Sequence, residues 1–257
     1  MDASRFPEYH FPLILIVKIL FSLIHLNPRS ITDDAVFALQ GITPPVHIIG
    51  YENIPDHGPA LITMNHYARK GFFIIWAALA IAANLTDDQL WLMTSEWTKR
   101  TGGFDQIQTK LTHWLFKRIS QIYGFITTPA MPPDPRDLPE RVASIRNIFQ
   151  RIEANPRTIL CMAPEGRDFP PEDLGYPAPG TGKFIYELIQ QLHTVIPVGV
   201  YESNGCLHLN FGPSYKKEDF KKTTDKYISQ FVMERIARQM PMHSKKEFFE
   251  VYSHEKK

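Results

Sequence analysis

Gly58-Pro59-Ala60-Leu61-Ile62-Thr63-Met64-Asn65-His66 contains a five-residue apolar run, Ala60–Met64, that opens after a Gly-Pro turn and closes on two polar residues. A run this short, rich in apolar side chains and bounded by breakers, reads as a buried strand, because a helix needs about twice the length. Similar runs recur at Val46–Ile49, Leu90–Thr94, Phe125–Thr128, Thr158–Met162, Val195–Tyr201 and Leu207–Phe211. Helical patterns fill the gaps between them. Strands alternating with helices define an α/β fold, here a single-domain mixed sheet flanked by helices.

The helical patterns differ in character. Phe72–Ala83 is apolar without a break and reads as a buried helix, whereas Gln108–Tyr123 places Leu111, Trp114, Leu115, Ile119 and Ile122 on one face. Leu138–Ile152 and Phe184–His193 are amphipathic, the latter preceded by the turn-rich Pro177–Gly182. Prolines cluster at 129–139 and 164–179, marking the long loops where functional residues gather on a rigid scaffold.

Outside the central α/β stretch of 42–215, the two ends read differently. Phe11–Leu26, within the N-terminal segment 1–41, has 16 residues, short of the roughly 18–20 that span a bilayer. Its polar residues Lys18, Ser22 and His25 form one narrow stripe on a Leu/Ile/Phe helix, the pattern of a helix lying in a membrane interface; a core helix is the other reading. The acidic residues Asp2 and Glu8 beside Arg5, with no small-residue site after Leu26, do not make a secretory leader. The tail, 216–257, is helical and mildly basic, with 11 Lys/Arg against 7 Asp/Glu, and reads as a solvated face.

Composition excludes several classes. With 28 Lys+Arg against 27 Asp+Glu the formal net charge is +1, which lacks the footprint of nucleic-acid binding. Two cysteines, Cys161 and Cys206, make no disulfide framework. His57, His66, His113 and His193 stand too far apart for zinc-ligand spacing, so no metal is expected. No G-x-S-x-G nucleophile elbow occurs, and Gly180-Thr181-Gly182-Lys183 does not complete a phosphate loop.

What remains is a histidine and an arginine. His66 follows a strand directly, and the carboxyl ends of strands are where open α/β sheets collect ligands. Histidine, whose ordinary pKa lies near neutrality, suits activation of a hydroxyl. Ala163-Pro164-Glu165-Gly166-Arg167-Asp168 follows the strand Thr158–Met162, so both loops can share one cleft. Arg167 offers a charged fork for a phosphate or carboxylate, or else an internal partner for Glu165 or Asp168.

In order along the chain, Asn65-His66, Pro164-Glu165-Gly166-Arg167 and Ile196-Pro197-Val198 resemble the N-H-x-x-x-x-D, P-E-G-T-R and V-P-[IV] blocks of the phospholipid/glycerol acyltransferases, the PlsC-like 1-acylglycerol-3-phosphate acyltransferase type. Gly50-x-Glu52-Asn53-Ile54-Pro55 and Gly58-Pro59 match the family's lead-in, and the resemblance covers about residues 42–215. This chain has Gly71 where the family places its aspartate, and its arginine follows Gly166 directly. The resemblance implies the PlsC-like fold and an enzyme of phospholipid biosynthesis and lipid metabolism. Such an enzyme moves a fatty acyl group from acyl-CoA or an acyl carrier protein thioester, with no other cofactor, to a hydroxyl of a phosphate-bearing lipid or glycerol-phosphate acceptor. His66 would be the base, with Asn65, Arg69, Lys70, Glu165, Gly166 and Arg167 binding substrate. The expected location is the cytoplasmic side of a membrane, attached peripherally to the lipid surface. A second reading, a non-catalytic lipid- or acyl-binding relative, starts from Gly71.

Overall fold

The computed structural model describes residues 6–86, 88–96, 103–130, 134–167 and 174–241, without the side chains of 103–106. A seven-stranded sheet lies at the centre, in the order β3 (His47–Ile49), β9 (Cys206–Phe211), β8 (Val195–Ser203), β4 (Ala60–Met64), β7 (Ile159–Met162), β5 (Gln89–Thr94), β6 (Ile126–Thr128). Only β8 and β9, joined by a tight turn, pair antiparallel; the other neighbours are parallel. This is the mixed α/β sheet the sequence predicts, with all seven strands where the apolar runs place them.

β4 is the axis. It pairs with β7 on one edge and β8 on the other, and all five of its residues are buried. Its alternate side chains feed two cores, because successive residues of a strand face opposite sides. Ala60, Ile62 and Met64 join the cluster under α2 (Ile31–Leu39) and α3 (Ile75–Ala82), while Leu61 joins the cluster under α5 (Leu138–Ala154), α6 (Thr181–Leu192) and α7 (Asp225–Ala237). A strand covered on both faces must be apolar throughout, which is why the quoted run stands out.

Three elements were not expected. β1 (Glu8–Tyr9) and β2 (Ile42–Thr43) form a separate antiparallel pair that ties the N-terminus to the start of the sheet domain. α2 begins at Ser30, whose hydroxyl accepts from the Asp33 N–H at 3.1 Å, a helix N-cap that Ser30-Ile31-Thr32-Asp33 spells out. On α2, buried Asp34 receives Arg29 and the Tyr123 hydroxyl, the latter at 2.6 Å, and so anchors the end of α4 (Gly103–Tyr123).

The C-terminal stretch corrects the sequence reading. α7 is not a solvated helix, since Ile228, Val232, Met233, Ile236 and Ala237 are wholly buried against α6 and the sheet. Their i, i+4, i+5, i+8, i+9 spacing is a core stripe hidden among charges. Residues 242–257 lie outside the described set.

α1 (Leu13–His25) also turns out differently from a water-facing polar stripe. Ser22 is buried and accepts a hydrogen bond from Arg29 at 3.2 Å, and with Leu15 and Leu23 it faces the body. Leu13, Ile14, Val17, Leu20, Phe21 and Ile24 point outward, each at least 53% exposed. On α4, Ile107, Leu111 and Trp114 are exposed as well. Among the described residues, no helix is long and apolar enough to cross a membrane.

Removing the buried side chain in Ile236→Ala should cost about 2–5 kcal/mol of stability, whereas Lys222→Ala on the exposed approach to α7 should fall within about 0.5 kcal/mol of wild type. Urea denaturation followed by circular dichroism measures both.

Candidate active site

His66 sits just beyond the end of β4, two residues past the last ladder position, and is half buried. The backbone that carries it is held from both sides. Asn65, 2% exposed, donates from Nδ2 to the Val200 carbonyl at 2.9 Å and accepts from the Val200 N–H at 2.7 Å. Its amide extends the β4–β8 ladder by one rung after the β4 peptides stop. From the β7 side, Glu165 accepts the main-chain N–H of His66 and, at 2.6 Å, that of Gly175.

The residues after His66 form a tight turn over the sheet edge. Phe72 N–H donates to the Arg69 carbonyl at 3.0 Å, leaving Lys70 and Gly71 as the central pair. Gly71 has φ +85°, a conformation that disfavours L side chains, and a Cβ there would meet only the Arg69 Nη1 at 3.4 Å. Backbone conformation, rather than crowding, explains glycine at this position.

Sequence-based candidates therefore divide in two. Asn65, Glu165 and Arg69 are engaged inside the protein. Arg69 makes a bidentate pair with Glu202 at the end of β8, with Nη2 to Oε1 at 2.6 Å and Nε to Oε2, and its side chain is only 13% exposed against 1% for Glu202. Arg69 was expected at the acceptor phosphate, but the carboxylate across the sheet edge takes both faces of its fork. Breaking a pair this buried strands a charge and costs about 3–5 kcal/mol, against about 0–1 for an exposed pair. Lys70, Gly166 and Arg167 are exposed. Arg167 lies near enough to Glu165 for its charge to stabilise that carboxylate, and Gly166, at φ +66°, closes the turn with its N–H to the Ala163 carbonyl at 3.2 Å. The half-buried imidazole thus has two exposed cations on its flanking turns. Asp168 lies outside the described residues.

Glu165 is the carboxylate that comes to His66. Burial pushes its carboxyl up to about 7, against the opposing pull of the two main-chain donors and of the neighbouring His66 and Arg167 side chains. Glu202 is the residue that sequence reasoning missed. No local pattern marks it: it lies next to last in β8, past the Tyr201 where the strand was predicted to stop, and its partners come from elsewhere in the chain. Tyr9 donates to Oε1 at 2.6 Å and Tyr67 to Oε2 at 2.7 Å.

Residues 45–201 match the family model for acyltransferases, more than half the chain, and the chain belongs to the acyltransferase family. The 1-acyl-sn-glycerophosphate (LPA) acyltransferase PlsC of Thermotoga maritima has a similar structure, with a TM-score of 0.55 and 12% identity over 88% of each chain, so this chain shares the PlsC fold. A search among curated proteins finds no significant match.

The Glu165 carboxyl generates a pH prediction. Between about 4.5 and about 7 the folded protein keeps a proton that the unfolded chain has already lost, so the stability contributed by this group falls as pH rises through that window. Glu165→Gln should flatten that fall relative to wild type, measured as denaturation midpoints at the two ends of the window.

Proposed function

We propose that this chain transfers a fatty acyl group from acyl-CoA or an acyl carrier protein thioester to a hydroxyl of a glycerol-phosphate or lysophospholipid-like acceptor. The observation that carries the reading is the placement of His66 at the carboxyl end of the central strand, its backbone held by Asn65 and Glu165 while the residue stays partly exposed. In this reading His66 takes the proton of the acceptor hydroxyl as the oxygen attacks the thioester carbon. The carbonyl re-forms, the thiolate leaves, and the imidazolium returns the proton to it. No covalent acyl-enzyme is required. A positioned base of this kind contributes about 10²–10⁴ in rate.

Arg167 and Lys70 are exposed on the turns beside the base, and their charges suit the acceptor's phosphate. Such substrates reside in membranes. The outward apolar face of α1 supports peripheral seating on a membrane, on the cytoplasmic side in this reading, with Ser22 turned inward while Lys18 and His25 stay exposed, and α4 adds Ile107, Leu111 and Trp114.

Two measurements test this reading. Purified protein offered a panel of acyl-CoA and acyl carrier protein thioesters with lysophosphatidic acid or glycerol 3-phosphate should release free thiol, and His66→Ala should lower kcat by at least about 10². Arg167→Ala should raise the acceptor KM more than it lowers kcat. An inactive wild type, or an active His66→Ala, overturns the assignment. Val17→Glu combined with Phe21→Glu, both on the exposed face, should cut sedimentation with phospholipid vesicles by about tenfold or more. Unchanged sedimentation removes α1 as the anchor.

A further inference from the structure

The turn that carries His66 ends on a carboxylate outside the family blocks. Glu202 projects from the far end of β8, two residues past the Val200 peptide that holds Asn65, and its side chain is 1% exposed. Four donors converge on it. Tyr67, the residue after His66, gives its hydroxyl, and Arg69 gives Nε and Nη2. Tyr9, from the strand preceding α1, gives the fourth. Burial and the carboxylate hold both phenols well above the ordinary tyrosine range, so they remain donors throughout the working pH range.

The surroundings make the clasp rigid. The Phe6 ring lies 4.0 Å from the Arg69 guanidinium, and Phe72 packs edge-on against Tyr9 and Tyr67 at 5.3 and 5.0 Å. Tyr9 and Phe11 both lean on Trp76 of α3. The segment Tyr67–Phe72 therefore has few degrees of freedom left, and the ring one residue upstream inherits its placement.

We propose that Glu202 is the positioning residue of His66: by gripping Tyr67 and Arg69 it orients the base in a chain whose motif has Gly71 where the family carries a carboxylate. The proposal rests on the reading of His66 as the base. Glu202 touches no substrate in this scheme. It sets where the imidazole stands, and misplacement of a reacting group by about 1 Å can cost about 10² in rate.

The test compares two buried carboxylate hubs. Glu202→Gln keeps the side-chain shape but removes the charge that holds Arg69, and Tyr67→Phe deletes a single hydroxyl while leaving its ring on Phe72. Asp34→Asn damages the analogous Arg29–Asp34–Tyr123 hub away from His66. With palmitoyl-CoA and lysophosphatidic acid, Glu202→Gln should lose about 10² in kcat with the acceptor KM within about twofold, and Tyr67→Phe a smaller part of the same loss. Asp34→Asn should lower the thermal midpoint yet keep kcat. The His66 ring signal in proton–nitrogen NMR, assigned with His66→Gln, should shift in Glu202→Gln and stay in place in Asp34→Asn. Should Glu202→Gln fail to fold, Tyr67→Phe carries both readouts. Wild-type kcat in the Glu202 and Tyr67 variants, equal loss in Asp34→Asn, or an unmoved His66 signal overturns the proposal. If wild type transfers no acyl group but the ring signal moves as stated, the acyl-transfer reading fails and the positioning role stands.

Discussion

The constraint on which the site depends is the ending of β4 inside the protein. A strand covered on both faces and paired on both edges satisfies its peptides through its neighbours, and where it stops those groups lose their partners with little water nearby. An unpaired buried peptide group costs roughly 1–3 kcal/mol, so the chain needs other polar atoms at that point. Asn65 at the strand's own end and Glu165 from the segment after β7 provide them. Asn65 reaches β8, Glu165 reaches back from the β7 side, and Glu202 grips Tyr67 and Arg69 just beyond the histidine. The same bonds that repair the end of the ladder hold His66 at the mouth of the sheet.

Using carboxylates for this purpose has consequences. Glu165 receives two main-chain donors and the field of His66 and Arg167, yet desolvation still outweighs them and leaves its carboxyl near neutrality. Glu202 has a full guanidinium partner and two phenols instead. One carboxylate is therefore held mainly by hydrogen bonds to peptides and the other by a charge. The first adds a pH-sensitive element beside the base, and the second a rigid one.

The N-terminal segment joins this arrangement through Tyr9 and Phe11. Tyr9 bonds Glu202 and Phe11 stacks on Trp76 at 4.2 Å, just ahead of a helix whose apolar side faces outward. A helix that turns Ser22 inward and Leu13, Val17, Leu20 and Phe21 outward is unfavourable in water by roughly 25 cal/mol for each Å² of apolar surface left exposed, and covering that face recovers the difference. The segment before the sheet is thus part of the same packed body, with Leu15, Ala35 and Ala38 in the core beneath α3.

Much of the fold was legible in the sequence because strands of this kind are local objects. Ala60–Met64 and its six counterparts announce themselves by composition and by the breakers around them, and the position of His66 is given by the end of one such run. The stripe Ile228, Val232, Met233, Ile236 and Ala237 and the cap at Ser30 were equally local and simply less conspicuous among charged neighbours. Strand order is not local. β8 lies beside β4 although about 130 residues separate their ends, and only that adjacency brings Glu202 to Tyr67 and Arg69. An arginine reads as a phosphate ligand until a buried carboxylate is found to occupy it, and a polar stripe reads as one face until Arg29 is found to hold Ser22 inward while Lys18 and His25 stay exposed. The sequence by itself determined which segments are strands of the central sheet and which residue stands just past the end of the central one; the tertiary structure decided which polar groups meet there, because hydrogen-bond and ion-pair partners are set by distance in space.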